Sequence, residues 1–328
     1  MRAVVAHALD GTAGLRLEDA PAPAMPADGV RIAVHAAAVN FVDWLVVQGL
    51  YQAIPKLPFI PGKEAAGIVT ECGPLARRFR VGDRVLMLVD NGAYADEAAA
   101  PEASCFAVPD GIAFDEAVAI CIPYQTAYFA LDRAAARAGE SVLVLGATSA
   151  TGTAAIELAK NRGLRVLAGV TTKTKAHLAL ARGADAVIDL SREGLRDSIR
   201  DEVRAATGGT GADIALDMLG GESFDGALRA LAPGGRMVVI GFAAGGIPTV
   251  KVNYLLLRNL AVLGFNWGRV REHARERTVA AQDEIFALRR EGRIAPVIQA
   301  RLPLEKCADA FALIRDRKVA GRIVLAVR

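Results

Sequence analysis

The rhythm of apolar and polar positions along the chain changes near residue 120. Up to about Asp110, short runs with β-like character at 2–8, 30–39, 65–72, 83–88 and 105–108 are broken by Gly and Pro, which predicts a β-rich module. From about Cys121, apolar strand-like runs alternate with helical segments, the pattern of a parallel sheet with crossover helices. The runs 141–145, 165–170, 186–190, 212–218, 236–241 and 261–265 predict six strands, enough for a doubly wound α/β sheet. A long charged helix is expected over 270–290. The segments 295–300, 304–315 and 322–327 have no place in a sheet already complete, so they are expected to return to the first module. The expected division is a β-rich domain over 1–120, completed by 291–328, and an α/β domain over 121–290.

Length agrees with two domains, because 328 residues exceed the size at which one core stops growing. A hydrophobic content of 53% against 23% charged residues excludes a disordered chain. With 39 basic and 36 acidic residues and no block of five like charges, nucleic acid and membrane surfaces are poor partners. The longest uncharged stretch, 141–156, is shorter than the roughly 20 apolar residues of a membrane-spanning helix. The N-terminal apolar run meets His7 and Asp10 too early for a signal peptide, so a cytoplasmic protein is expected. Cys72, Cys105, Cys121 and Cys307 lie far apart with no C-x-x-C pair, which suits reduced thiols rather than disulfides or a zinc site, and no metal ligand is expected.

Residues 141–145 lead into Gly146-Ala147-Thr148-Ser149-Ala150-Thr151-Gly152 and then into a helix with apolar positions 155, 156, 158 and 159. A dinucleotide pyrophosphate needs backbone N–H groups converging at a helix N-terminus with no side chain in its way, and this Rossmann-type turn of small residues permits that. The spacing is G-x-x-S-x-x-G, with Ser149 where a central glycine is more usual, so the order of strand, turn and helix carries the reading. The alternative is a tight βα turn with no ligand. About 20 residues after the first glycine, an acid normally holds the ribose hydroxyls of NAD. Here no Asp or Glu occurs between Glu157 and Asp185, and Thr171, Thr172, Lys173 and Lys175 follow the second strand. A carboxylate would repel a 2′-phosphate, whereas hydroxyls and cations suit it, so NADPH is expected over NADH, with Thr172 and Lys175 at the phosphate. The alternative is that Lys173 and Lys175 open a solvated helix.

Together with motifs along nearly the whole chain, these residues resemble the medium-chain dehydrogenase/reductase superfamily, within it the zinc-independent quinone oxidoreductase branch. Asn40-Phe41-Val42-Asp43 with Gly49-Leu50-Tyr51 is similar to its N-x-x-D…G-x-Y motif. Pro61-Gly62-Lys63-Glu64-Ala65-Ala66-Gly67-Ile68-Val69 and Val81-Gly82-Asp83-Arg84-Val85 resemble its P-G-x-E-a-a-G-x-V strand and V-G-D-R-V turn. Gln125-Thr126-Ala127-Tyr128 resembles the helix entering its nucleotide domain. Gly241-Phe242, Leu255-Leu256-Leu257-Arg258-Asn259 and Gly264-Phe265-Asn266-Trp267-Gly268 are similar to segments flanking its nicotinamide. The implied fold is a GroES-like β-rich catalytic domain plus a Rossmann domain, and family members commonly dimerise through the Rossmann sheet edge, here 261–263.

The resemblance also implies the chemistry. Alcohol dehydrogenases of the superfamily place a zinc-binding His in a G-H-E motif, where this chain has Lys63 between Gly62 and Glu64. A quinone or conjugated enone spreads incoming charge over its π system and has less need of a Lewis acid than a simple ketone. The expected reaction is therefore hydride transfer from NADPH to a quinone or activated alkene, with Tyr51 and Asn40 as donors to the developing oxyanion, or else each as a plain structural hydrogen-bonder near a turn. Asp43 is expected to orient neighbouring backbone, although a buried carboxylate could also transfer protons. Gly146, Thr148, Ser149, Ala150, Thr151 and Gly152 would hold the pyrophosphate. Tyr124 and Thr126 would border the nicotinamide, with Gly241, Phe242, Asn266 and Trp267 as its far wall, or else Phe242 and Trp267 are core aromatics. Family members often have Tyr at the position of Leu45, Arg at that of Val47 and Tyr near that of Leu190. The first two departures imply a more apolar substrate pocket. An enoyl-thioester reductase and a non-catalytic NADPH-binding protein remain alternatives.

Overall fold

Fully buried parallel strands need apolar side chains on both faces, and Ser141-Val142-Leu143-Val144-Leu145 supplies them, with all five residues buried. In the computed structural model, which describes residues 1–328, this run is the centre of a six-stranded sheet. The chain divides into two compact units, Met1–Ile122 with Gln282–Arg328, and Pro123–Ala281.

The first unit holds β1 (Arg2–Ala6), β2 (Leu15–Asp19), β3 (Gly29–Val39), α1 (Phe41–Val47), β4 (Glu64–Cys72), β5 (Arg84–Leu88), β6 (Glu97–Pro101), β7 (Cys105–Ala107) and α2 (Phe114–Ala119). α3 (Ile122–Arg133) then leads into the second unit: β8 (Ser141–Leu145), α4 (Ala150–Asn161), β9 (Arg165–Val170), α5 (Lys173–Ala181), β10 (Ala186–Asp189), α6 (Leu195–Ala206), β11 (Ala212–Asp217), α7 (Gly221–Ala230), β12 (Leu231–Val239), α8 (Val252–Arg258), β13 (Ala261–Gly264) and α9 (Trp267–His273). α10 (Arg275–Arg290) crosses the unit boundary, and β14 (Ile298–Pro303), α11 (Cys307–Arg315) and β15 (Arg322–Ala326) finish the chain in the first unit.

In the second unit the strand order is β10-β9-β8-β11-β12-β13, all parallel. The order reverses direction between β8 and β11, and in an open sheet of this kind ligands bind outside the carboxyl ends of the strands at that reversal. The turn after β8 occupies that position.

The sheet of the first unit has the path β14-β15-β3-β4-β5-β7, with β6 also on β3. β15 pairs antiparallel with β3, Ile323 opposite Val39, so the C-terminal strands complete the N-terminal sheet. Val30, Ile32 and Val34 of β3 are wholly buried and pack with Trp44, Tyr94 and Phe311 in one core. Burial of each such aliphatic side chain contributes about 1.5–3 kcal/mol.

Two details differ from the sequence expectation. The helix expected over 270–290 is two helices, because Ala274 leaves helical geometry at φ −134°, ψ 51°. β2 and β6 have no counterpart among the predicted strands. No helix is long and apolar enough to cross a membrane.

Candidate functional site

The first four N–H groups of a helix have no partner inside it, and at α4 the chain itself satisfies two of them. Ser149, the residue before the helix, accepts the Gly152 N–H on its Oγ at 3.0 Å and the Thr153 N–H on its carbonyl at 2.8 Å. The N–H groups of Ala150 and Thr151 are left without an acceptor in the chain. Gly146 turns the backbone at φ +71°, a conformation that favours glycine. Gly152 has no room for any side chain, since a Cβ there would stand 2.3 Å from the Gly146 carbonyl oxygen and 2.6 Å from the Ala147 carbonyl carbon. Thr148 is buried and Ser149 exposed. Two spare N–H donors, a helix N-terminus with its partial positive charge and a backbone stripped of side chains are what a pyrophosphate requires.

At the end of the neighbouring β9, Thr172 caps α5, its Oγ1 accepting the Lys175 N–H at 3.2 Å. The hydroxyl proton of Thr172 stays available to an external acceptor. Lys173 and Lys175 lie in the first turn of α5, which has no acidic residue. The nearest acids along the chain are engaged elsewhere: Glu157 with Arg182, and Asp185 with Lys160 at 2.8 Å. Leu190, at the position where family members often have Tyr, is buried in the core, its Cδ1 3.0 Å from where a Cβ on Gly169 would stand.

The loop after β12 carries Gly241 and Phe242, the latter 41% exposed. Trp267 is held to α3 by its Nε1–H, which donates to the buried Gln125 Oε1 at 3.1 Å. Asn266 caps α9, its side chain accepting the Arg269 N–H. Thr126, next to Gln125, is buried. Tyr124 departs from expectation: it is 2% exposed and its hydroxyl donates to Glu157 Oε2 of α4 at 2.5 Å. An aromatic ring so enclosed, with its one donor committed to a buried carboxylate, braces α3 against α4 and offers no surface to a nicotinamide.

In the β-rich unit, Asn40 and Asp43 belong to a buried polar network that the sequence motif only begins to describe. The Asp43 carboxylate accepts Asn40 N–H at 2.9 Å, Asn40 Nδ2 at 3.1 Å and the Tyr94 hydroxyl at 2.8 Å, all on Oδ2. Asn40 Nδ2 also donates to Glu64 Oε2 at 3.0 Å, and Asn40 Oδ1 accepts from Arg322 Nη1 at 2.7 Å. Arg322 pairs with Glu64 directly, and Glu64 Oε1 accepts the Ile122 N–H at 2.7 Å. Burial pushes the carboxyls of Asp43 and Glu64 above their ordinary range, and for Glu64 the charge of Arg322 opposes that shift. Both amide protons of Asn40 are thus committed inside the protein, so the expected role as donor to a substrate oxygen has no free donor to perform it.

Tyr51 is half-buried against the edge of this core, with Lys63 Nζ 5.6 Å from its ring centre, and Lys63 also donates to the Asp90 carbonyl oxygen at 2.6 Å. Val47 is fully buried in the core, so its place in α1 does not make a pocket apolar as expected; half-buried Leu45 is the departure left to do so. No three His, Cys, Asp or Glu side chains stand close enough together to hold a metal ion, and the four cysteines form no disulfide. Glu64, Tyr94 and Arg322 have no role in the sequence reading. Glu64 is visible in its motif, whereas Tyr94 and Arg322 join it only through tertiary structure.

Comparison with known proteins agrees with both units. Residues 26–110 match the alcohol dehydrogenase GroES-like domain, and residues 150–283 match the zinc-binding dehydrogenase domain. The chain is 37% identical over 313 residues to quinone oxidoreductase-like protein 2 of Bos taurus, covering 95% of this chain and 88% of that protein. It is 33% identical over 332 residues to the quinone oxidoreductase of Homo sapiens, covering 99% and 97%. Among solved structures, the Escherichia coli quinone oxidoreductase complexed with NADPH superposes with a TM-score of 0.91 at 27% identity, each chain covered over its full length. The chain belongs to the quinone oxidoreductase branch of the medium-chain dehydrogenase/reductase superfamily.

Proposed function

We propose that this protein is an NADPH-dependent oxidoreductase that reduces quinones or activated α,β-unsaturated carbonyls without zinc. The observation that carries the reading is the turn after β8, with two unused N–H donors and no space for a side chain at Gly152. NADPH, when bound, supplies the hydride. Ala150 and Thr151 hold the pyrophosphate by their N–H groups, and Thr172 and Lys175 take the 2′-phosphate. Tyr51, whose hydroxyl has no partner in the chain, donates to the acceptor oxygen as negative charge develops there. Asn40 and Asp43 hold the start of α1, which leads to Tyr51, and act by positioning. The proposed independence from zinc is supported by the donor set, since Lys63 stands where a ligand His would be and is bonded to Asp90.

The reading is tested by following NADPH oxidation with 1,4-benzoquinone, 9,10-phenanthrenequinone, a simple enone and crotonyl-CoA, before and after prolonged chelation. Quinone or enone turnover unchanged by chelation is the expected result. Turnover of crotonyl-CoA alone would favour an enoyl-thioester reductase, and NADPH binding with no turnover a non-catalytic protein. In the same assay Lys175→Glu should weaken NADPH by about 100-fold, near 2.7 kcal/mol, and NADH by less than about threefold, because the reversed charge meets only the 2′-phosphate. Equal losses for the two cofactors would remove the 2′-phosphate assignment.

The same protein is proposed to work as a homodimer. β13 is an edge strand, and the segment before it exposes Ile247, Val252, Leu256 and Leu257 at 74–79% each. Apolar side chains gathered beside an open strand edge favour burial against a second copy. Light scattering should give about twice the chain mass for the wild type and the mass of one chain for Leu257→Arg; a wild-type monomer at micromolar concentration would refute the assembly.

A further inference from the structure

Asp217 ends β11, the strand beside β8, and is wholly buried. Its Oδ1 accepts the N–H groups of Leu219 at 2.8 Å and Gly220 at 2.9 Å, folding residues 217–221 into a tight loop. That loop is laced to the one after β12. The Asp217 carbonyl accepts Ile240 N–H at 2.8 Å and Gly241 N–H at 3.2 Å, Met218 O accepts Ala243 N–H, Leu219 O accepts Ala244 N–H, and Gly221 N–H donates to Gly246 O. Gly220 sits at φ +67°, ψ −150°, where a Cβ would stand 2.6 Å from Gly246 O and 3.0 Å from Phe242 Cδ1. Asp217 Oδ2 has no hydrogen-bond partner despite its burial, and no cation pairs with the carboxyl. A buried carboxyl kept at such cost, with one oxygen capturing two backbone donors, is shaping a loop whose geometry matters elsewhere.

We infer that Asp217 is a positioning residue that sets the Gly241–Phe242 wall against the nicotinamide half of the cofactor through the two laced loops. The inference rests on the NADPH reading above and adds a residue that touches no ligand itself. Thr172 and Lys175, at the adenosine end, are hydrogen-bonded to neither loop. The two ends of the cofactor should therefore respond differently to a change at Asp217.

The test compares binding of NADPH with that of adenosine 2′,5′-bisphosphate, which lacks the nicotinamide half, by calorimetry on the full chain. Asp217→Ala should weaken NADPH at least about tenfold, and adenosine 2′,5′-bisphosphate by less than about threefold. Asp217→Asn retains an acceptor for Leu219 and Gly220 and should bind both within about threefold of the wild type. Gly220→Ala, which disturbs the second loop directly, should give the same selective loss and carries the test should Asp217→Ala not fold. NADPH affinity unaffected in both Asp217→Ala and Gly220→Ala, or equal losses for both ligands, would overturn the positioning role. A wild type that binds neither ligand would instead fail the cofactor reading, a result distinct from either.

Discussion

Replacing Gly152 with valine is expected to weaken NADPH binding by more than about 100-fold, roughly 2.7 kcal/mol or more, while leaving the rest of the fold in place. The Cβ would meet the Gly146 carbonyl oxygen at 2.3 Å and Ala147 backbone atoms at 2.6 and 2.7 Å. These are backbone atoms and cannot swing aside as the end of a side chain can. The strain is relieved only by opening the turn, which moves the start of α4 away from β8 and with it the Ala150 and Thr151 N–H groups. The Ser149 cap on Gly152 N–H is lost in the same movement, at a cost of about 1 kcal/mol to the helix. Gly146→Ala supplies the graded comparison. Its Cβ would stand 3.0 Å from Leu219 Cδ2, the end of a flexible side chain, and its left-handed φ costs about 1–2 kcal/mol. Titration calorimetry should therefore rank affinity as wild type, then Gly146→Ala, then Gly152→Val. A Gly152→Val protein binding within tenfold of the wild type would mean that the turn does not hold the cofactor.

This turn was legible in the sequence because it is local. A run of buried strand residues, a set of small residues and an apolar helix face follow one another within 20 positions, and each signal is physical at that range. The central strands β8, β9 and β11 were legible for the same reason, since strands covered on both faces are largely continuous apolar runs. β2 and β6 were not. Leu15–Asp19 is half polar and pairs only with β1, and Glu97–Pro101 is mostly alanine, which has little preference for strands. The β1–β2 pairing likewise brings Glu18, 11 positions on, within 3.0 Å of His7 Nε2. Asn40, within its motif, and Tyr124 were expected to face ligand, but their partners, Arg322 and Glu157, lie 282 and 33 positions away. Nothing in a local pattern tells a donor aimed at a ligand from one already committed to the core.

That distant partner governs the second large effect. Arg322→Met should lower the unfolding free energy of the β-rich unit by about 3–5 kcal/mol, since it leaves Glu64 buried without its cation. Asn40 Oδ1 loses its donor too, while Asn40 Nδ2 and the Ile122 N–H remain as donors to the carboxylate. The sign of the pH dependence follows from Glu64, whose folded-state pKa burial already raises. A carboxyl raised on folding binds more protons in the native state than in the unfolded one. Its contribution to stability therefore falls as pH rises from the unfolded value near 4.5 through the folded value. Removing Arg322 takes away the charge that holds the folded value down, so the interval widens and the slope extends to higher pH. Urea unfolding of wild type and variant should show the deficit growing as pH is raised from about 4.5 towards neutrality. Changing both partners, Glu64→Met with Arg322→Met, should recover much of the loss, because an apolar pair leaves no charge to desolvate. A single-variant deficit that is constant across that range, or a double variant no more stable than the single, would mean that the Glu64 charge is not what Arg322 compensates.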